Sequence, residues 1–371
     1  MKILHINNNY IFTNLHQLMA EKLESIGYEN RVYVPICENR KGVVKVNENV
    51  EVSECFKKWD RIVFDYKQGK ILKDVQQKID IKSFDCIHAY TLFTDGNCAI
   101  KLSEKYNIPY VVAVRNVDVN SFFAKMIHLR SRGIEIMRKA QAVFFLSEAY
   151  RKQVFEKYVP EKYKEELFKK TRIIPNGIDE FWFDNRPNEV KSPDFNKEIK
   201  LVFAGRIDKN KNVPTTQKAM KILREKGYNV TLTVVGKVQD KSEIEKISLD
   251  GYTTVLGAKP KEELIDVYRS ADIFVMPSFT ESFGLVYAEA MSQGLPVVYS
   301  EGQGFDGQFD EGEVGYRACS RSPESVAEAI LKVIENYDRI ASGTSDKSAK
   351  FRWDEIVKEY GIIYNEIGGA E

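Results

Sequence analysis

Residues 272–289 read DIFVMPSFTESFGLVYAE. The run 272–276 is short and almost wholly apolar, Pro277 ends it, and a polar loop follows. Apolar residues then return at helical spacing from about Ser282. The reading is strand, loop, helix. A strand apolar on both faces has to be covered on both, as in a parallel sheet flanked by helices. Working outward in both directions, the same alternation recurs along the chain. One series of strand candidates lies at 2–6, 31–35, 85–89, 110–114, 142–146 and 172–175. A second lies at 200–204, 230–235, 253–256, 272–276 and 296–300. Amphipathic stretches at 15–26, 97–106, 213–227, 261–270, 283–293 and 324–337 fall between them. Alternating strands and helices predict an α/β fold built on doubly wound parallel sheets. The two series are parted by 178–197, which has two prolines and no periodicity and reads as an interdomain linker. The stretch 353–367 is amphipathic, with Ile356, Tyr360, Ile363 and Tyr364 on one side.

Composition narrows the function. The chain has 371 residues, 43% hydrophobic and 29% charged, with a net charge of +1. These values fit a globular protein of two domains. No apolar run approaches the ~20 residues of a membrane-spanning helix, and the start of the chain is too polar for a signal-peptide core. The cytoplasm is the expected location. Five Cys without a CxxC pair read as free thiols of a reducing compartment. The first half carries a basic excess, concentrated between Lys125 and Arg172. The segment from Lys125 to Lys139 is the candidate for contact with the inner face of a membrane; a solvated helix face explains it equally well. It lacks a stacking platform or reading motif, so no nucleic acid is expected as a partner.

Several chemistries drop out. Gly302, Gly304 and Gly307 make a formal GxGxxG after a strand candidate, but no helical pattern follows to present its amides to a pyrophosphate. There is no Walker A, HExxH, GxSxG or Asp-x-Asp sequence, and the four His lack metal-ligand spacing. No metal and no cofactor is expected.

Three segments of the second half remain. After the strand ending at Gly205, Arg206 and Lys211 enter a loop, and two cations beyond a strand's carboxyl end suit a diphosphate. After 272–276, the amides of Ser282, Phe283, Gly284 and Leu285 open a helix, and Gly284 permits close backbone approach. Glu281 and Glu289 stand eight residues apart, about 12 Å if both lie on a helix. That matches the span from ribose to hexose in a nucleotide sugar. Taken alone, the pair reads equally as a helix-dipole partner and a surface charge. The third segment, 234–237, is another strand end on the same sheet edge.

With these residues in place, the sequence resembles the retaining glycosyltransferases of family four. The resemblance rests on the EX7E motif at Glu281–Glu289, the Gly-Arg…Lys loop from Gly205 to Lys211, the segment 174–179 (IPNGID) and the strand at 294–298 (GLPVV). It implies the GT-B architecture, two Rossmann-like domains facing a central cleft. Residues 1–180, with a C-terminal helix at 354–371 packing back on them, would bind the acceptor; residues 181–353 would bind the donor. Arg206 and Lys211 would hold the diphosphate, Glu281 with the amides after it the sugar, Glu289 the ribose, and backbone near Leu256 the base. The donor would be a nucleotide-diphosphate sugar, UDP first. The acceptor would be a glycan or lipid-linked glycan of cell-surface polysaccharide or glycolipid synthesis. A non-catalytic nucleotide-sugar-binding subunit and a GT-B epimerase or phosphorylase are the competing readings. Where the family often has His after the strand 110–114, this chain has Arg115-Asn-Val-Asp118, so Arg115 or Asp118 is expected at the sugar.

Overall fold

The computed structural model describes residues 1–247 and 251–369. The chain forms two compact units. The first comprises residues 1–146, 150–177 and the chain from Trp353 onward; the second comprises 147–149 and 178–352.

The first unit holds a sheet of seven parallel strands: β1 (Lys2–Ile6), β2 (Glu29–Cys37), β3 (Val50–Phe56), β4 (Cys86–Ala89), β5 (Tyr110–Val114), β6 (Ala142–Phe145) and β7 (Thr171–Ile173), in the order β3-β2-β1-β4-β5-β6-β7. Every residue of β4, β5 and β6 is buried, as near-continuous apolar strands require when helices cover both faces. The last helix, Trp353–Gly368, packs in this unit. Trp353, Ile356, Tyr360 and Tyr364 join one core with Val111 and Phe144, and the Tyr364 hydroxyl lies 2.7 Å from His88 Nδ1. Gly177 is required here because a Cβ would stand 2.5 Å from the Trp353 ring.

The second unit holds six parallel strands: β8 (Ile199–Ala204), β9 (Val230–Val235), β10 (Thr253–Leu256), β11 (Ile273–Met276), β12 (Val297–Ser300) and β13 (Gly315–Ala318), ordered β10-β9-β8-β11-β12-β13. In both sheets the direction of winding reverses once, between β1 and β4 in the first and between β8 and β11 in the second. At such a switch point the two flanking loops leave in opposite directions and open a crevice beyond the strands' carboxyl ends.

One expectation is corrected. Residues 178–197 are packed into the second unit and are not a free linker. Ile178 bridges to Arg352, Trp182 and Phe183 are buried on a short helix (Phe181–Asp184), and Lys191 reaches Asp272 at 2.6 Å. Two buried aromatics give this stretch more apolar surface than its prolines suggest. No helix among the described residues is long and apolar enough to cross a membrane.

Candidate functional site

The crevice of the second unit is built by the loops after β8 and β11. Gly205 follows β8 with φ +154, and its amide donates to Val235 O at 2.9 Å. Gly236, after β9, has φ +152, and a Cβ there would lie 1.7 Å from Gly205 O. Glycine alone lets these two strand ends meet backbone to backbone. The loop then presents Arg206, whose guanidinium is largely exposed and 3.4 Å from Asp208. Asp208 caps the next turn by accepting from the Lys211 amide at 3.0 Å. That turn aims Lys211 inward, where its ammonium pairs with the Glu281 carboxylate; the two side chains are only 13% and 10% exposed. Cation and carboxylate from two loops on either side of the switch point thus form one buried pair.

The loop after β11 is held from outside. Asn210 donates from its side chain to Thr280 O at 2.7 Å, and Asn212 to Pro277 O at 2.9 Å and Ser320 O at 2.7 Å. The Glu281 amide donates to Gln303 Oε1 at 3.0 Å, and the Gly304 amide to Glu281 O at 2.9 Å. These four residues escape sequence reasoning. Gln303 and Gly304 sit in the excluded GxGxxG, which opens no helix and whose Gly304 serves the neighbouring loop.

The helix begins later than the sequence implies. Gly284 is its N-cap at φ +78, and the helix is Leu285–Ser292. A Cβ on Gly284 would touch the Tyr287 ring at 2.5 Å. Glu281 therefore stands in the loop, and the 12 Å helical spacing to Glu289 does not apply. The Ser282 amide is already taken by the Glu281 carboxylate at 3.1 Å. Among the described residues the amides of Phe283, Gly284 and Leu285 make no hydrogen bond within the chain. They combine free donors with the positive end of the helix. Phe283 is buried against Phe305 and Phe351, which anchors the turn.

Glu289 lies on the helix, half-buried. Desolvation pushes its carboxyl up to about 7; Asp179 raises it further and the Tyr268 hydroxyl opposes the rise. A carboxyl so placed gains from any hydroxyl that donates to it. Leu256 ends β10 with its carbonyl facing the Gly236 amide at 3.4 Å.

The first unit corrects two expectations. Asp118 is fully buried, and its carboxylate accepts from the amides of Leu92 at 3.0 Å, Phe93 at 3.1 Å and Arg115 at 2.8 Å. It ties the loops after β4 and β5 together and cannot reach a sugar. Arg115 is half-buried and held by Tyr90 O at 3.4 Å and Asn176 at 3.2 Å. In the segment from Lys125 to Lys139, Lys125 is exposed with no carboxylate at ion-pair distance among the described residues, while the other cations are engaged. Arg132 pairs with Asp65, Arg138 with Glu166, and Lys139 with Glu104 and Glu135, while Arg130 is bonded to Phe123 O. Beyond the carboxyl ends of β1 to β4 lies a cavity of about 460 Å³, lined by Asn8, Arg40, Lys67 and Thr91 among others.

Comparison with known proteins bears on the second unit directly: residues 184–349 match the family model for glycosyl transferases group 1. Over this segment the chain is similar to that family. The D-inositol 3-phosphate glycosyltransferase of Corynebacterium jeikeium is 31% identical over 54% of this chain and 52% of its own length. The capsular polysaccharide biosynthesis glycosyltransferase CapM of Staphylococcus aureus is 28% identical over 52% of this chain and 55% of its own. The chain thus spans about half the length of these curated relatives. The crystal structure of Anabaena HepE in complex with UDP superimposes with a TM-score of 0.72 at 18% identity, covering 99% of this chain and 100% of that one. With two parallel-sheet Rossmann-like units, the chain has the GT-B fold of these solved structures.

Proposed function

We propose that this chain is a retaining, metal-independent glycosyltransferase. It moves a hexose-type sugar from a nucleotide-diphosphate sugar, UDP first, to a hydroxyl of a glycan or lipid-linked acceptor. The observation that carries this reading is the Lys211–Glu281 pair beside three unclaimed amides at a sheet switch point. A ligand with adjacent anionic and hydroxyl-rich parts suits that combination. The diphosphate takes the Lys211 ammonium, Arg206 and the amides of Phe283 to Leu285. The released Glu281 carboxylate accepts from sugar hydroxyls, and Glu289 from the ribose. HepE was solved with UDP, and CapM belongs to capsular polysaccharide synthesis; both likenesses support this choice of donor and process.

In the reaction the bond from sugar C1 to the β-phosphate oxygen breaks, and a bond from the acceptor oxygen forms on the same face. The acceptor's proton passes to the leaving phosphate. Charge grows on the β-phosphate, and in this reading Arg206, Lys211 and the helix terminus stabilise it. Preorganised donors of this kind contribute about 3–4 kcal/mol each to the transition state.

The test is transfer or slow donor hydrolysis, followed by release of nucleoside diphosphate from UDP-, GDP- and ADP-sugars with and without EDTA. UDP release that is insensitive to EDTA and falls at least ~100-fold in Lys211→Met is expected. Wild-type rates in that variant, or strict dependence on a divalent ion, would sink the proposal.

A further inference from the structure

The cavity of the first unit has a chemistry of its own. Its walls come from the ends of β1 to β5 and the segments that follow them. Arg40, Arg61, Lys67 and His128 line it, and no Asp or Glu does. Several cations of this unit are paired, Lys70 with Asp60 at 2.7 Å, Arg132 with Asp65 and Lys139 with Glu104 at 2.6 Å. The cavity's cations rest on rings. Arg40 lies 3.9 Å from the centre of the Phe12 ring, while Arg61 and Lys67 lie 5.7 and 4.8 Å from that of Phe56. Among the described residues none of these three cations has a carboxylate within ion-pair distance. Burial lowers the Lys67 ammonium and Arg61 adds repulsion, with Asp95 behind the wall opposing both. An arriving anion would relieve that repulsion.

The rim is apolar in a way the rest of the surface is not. Trp59, Ile62, Val63 and Tyr66 come from one bordering segment and Val117, Met126 and Ile127 from another; all are exposed, Trp59 by 77%. The segments meet where Phe64 packs edge-on to Phe122 at 5.9 Å. Exposed large apolar side chains clustered around a cationic recess mark an amphiphile with an anionic head.

We infer that this cavity holds the phosphate of a lipid-linked acceptor among Arg40, Arg61 and Lys67, with the Trp59–Tyr66 and Val117–Ile127 rim against the lipid. The inference rests on the glycosyltransferase reading and gives its acceptor a chemical class. It confines membrane contact within the Lys125–Lys139 segment to its first residues, Met126 and Ile127.

The experiment uses the full chain with vesicles of phosphatidylcholine alone or containing phosphatidic acid. Co-sedimentation and tryptophan emission are the readouts. Trp59 is the exposed tryptophan, while Trp182 and Trp353 are buried, so a blue shift reports the rim. Binding with a blue shift is expected only on the phosphatidic acid vesicles. In Arg40→Gln/Arg61→Gln/Lys67→Gln binding should weaken about 100-fold, from roughly a fivefold loss per charge. Arg61→Gln alone, at an exposed side chain, should lose about fivefold and guards against a folding defect in the triple variant.

Equal binding to neutral vesicles, or unchanged binding in both variants, overturns the inference. So does saturation of the cavity by glucose 1-phosphate without vesicle binding, which would identify a soluble phosphate as the ligand. The thermal shift with UDP is measured in parallel. Vesicle binding without a UDP shift would refute the donor assignment alone, and a UDP shift without vesicle binding would refute this inference alone.

Discussion

Gly304→Ala should damage the donor site through one methyl group. Gly304 has an ordinary backbone conformation, so alanine brings no strain of its own. The fault is space: its Cβ would lie 1.9 Å from Ser282 O, 2.3 Å from Ser282 C and 2.7 Å from Phe283 N. Heavy atoms settle at about 3.5 Å, so the Ser282 carbonyl has to retreat by roughly 1.5 Å. That carbonyl belongs to the turn carrying Glu281 and the free amides of Phe283, Gly284 and Leu285. Overpacking of this kind costs about 1–3 kcal/mol of stability. A shift of about 1 Å in a positioning element costs on the order of 100-fold in rate. The control is Gly302→Ala in the same turn. Gly302 has φ +68 but nothing within 4 Å of a Cβ. It should lose only the ~1–2 kcal/mol of left-handed strain, with kcat unchanged. Urea unfolding together with UDP-sugar turnover separates the two. Wild-type turnover and stability in Gly304→Ala, or greater loss of activity in Gly302→Ala, would refute the steric argument.

Three further outcomes follow from the buried titratable groups. Glu289 has its carboxyl raised from 4.5 to about 7, so the folded state prefers the proton and stability falls as pH rises through that window. Glu289→Gln should therefore be more stable than wild type at pH 8 by about 2–3 kcal/mol, with the gap closing toward pH 4.5, while UDP affinity drops; thermal unfolding against pH and calorimetry check it, and equal stability at pH 8 contradicts it. Asp118→Asn turns an acceptor of three amides into a group that presents a donor to one of them, which should cost about 1–3 kcal/mol and leave UDP binding intact; impaired UDP binding in a fully stable variant would return Asp118 to the substrate. His5 is buried and lowered from 6.5 to about 4, so its contribution is complete above 6.5 and lost as pH falls to 4, about 3 kcal/mol at most; His5→Gln should show a shallower acid limb in thermal unfolding, and an unchanged limb would show that His5 takes up no proton there.

Much of the fold was legible because its strands advertise themselves. A run such as Tyr110–Val114, buried at every residue, can hardly be anything but a central parallel strand. Of the four edge strands, β7 and β10 were read and β3 and β13 were missed. Val50–Phe56 alternates polar and apolar residues around charged Glu51 and Glu54, and Gly315–Ala318 has only its first and last residues buried. Edge strands need cover on fewer sides, so their sequences carry less signal. The stretch 178–197 failed for the converse reason: its prolines outweighed Trp182 and Phe183, whose burial is a tertiary fact.

The donor side of the site could be read from sequence because its parts are local. Gly205, Arg206 and Lys211 share one loop, and Glu281 to Glu289 share one turn and helix, so spacing already says what can act together. The cavity proposed for the acceptor could not. Arg40, the Arg61–Lys67 stretch and His128 come from three distant segments, each ordinary by itself, and only the winding of β1 to β5 gathers them. What distinguishes them is that one cavity gathers them with no Asp or Glu in its lining, which sequence spacing does not record. Asp118 shows the reverse error. Beside Arg115 it looks like a sugar ligand, yet three backbone amides from two loops consume it. A charged residue after a strand is free for a ligand only if the loops around it leave its hydrogen bonds unspent. In this chain Arg40, Arg61 and Lys67 meet that condition and Asp118 does not.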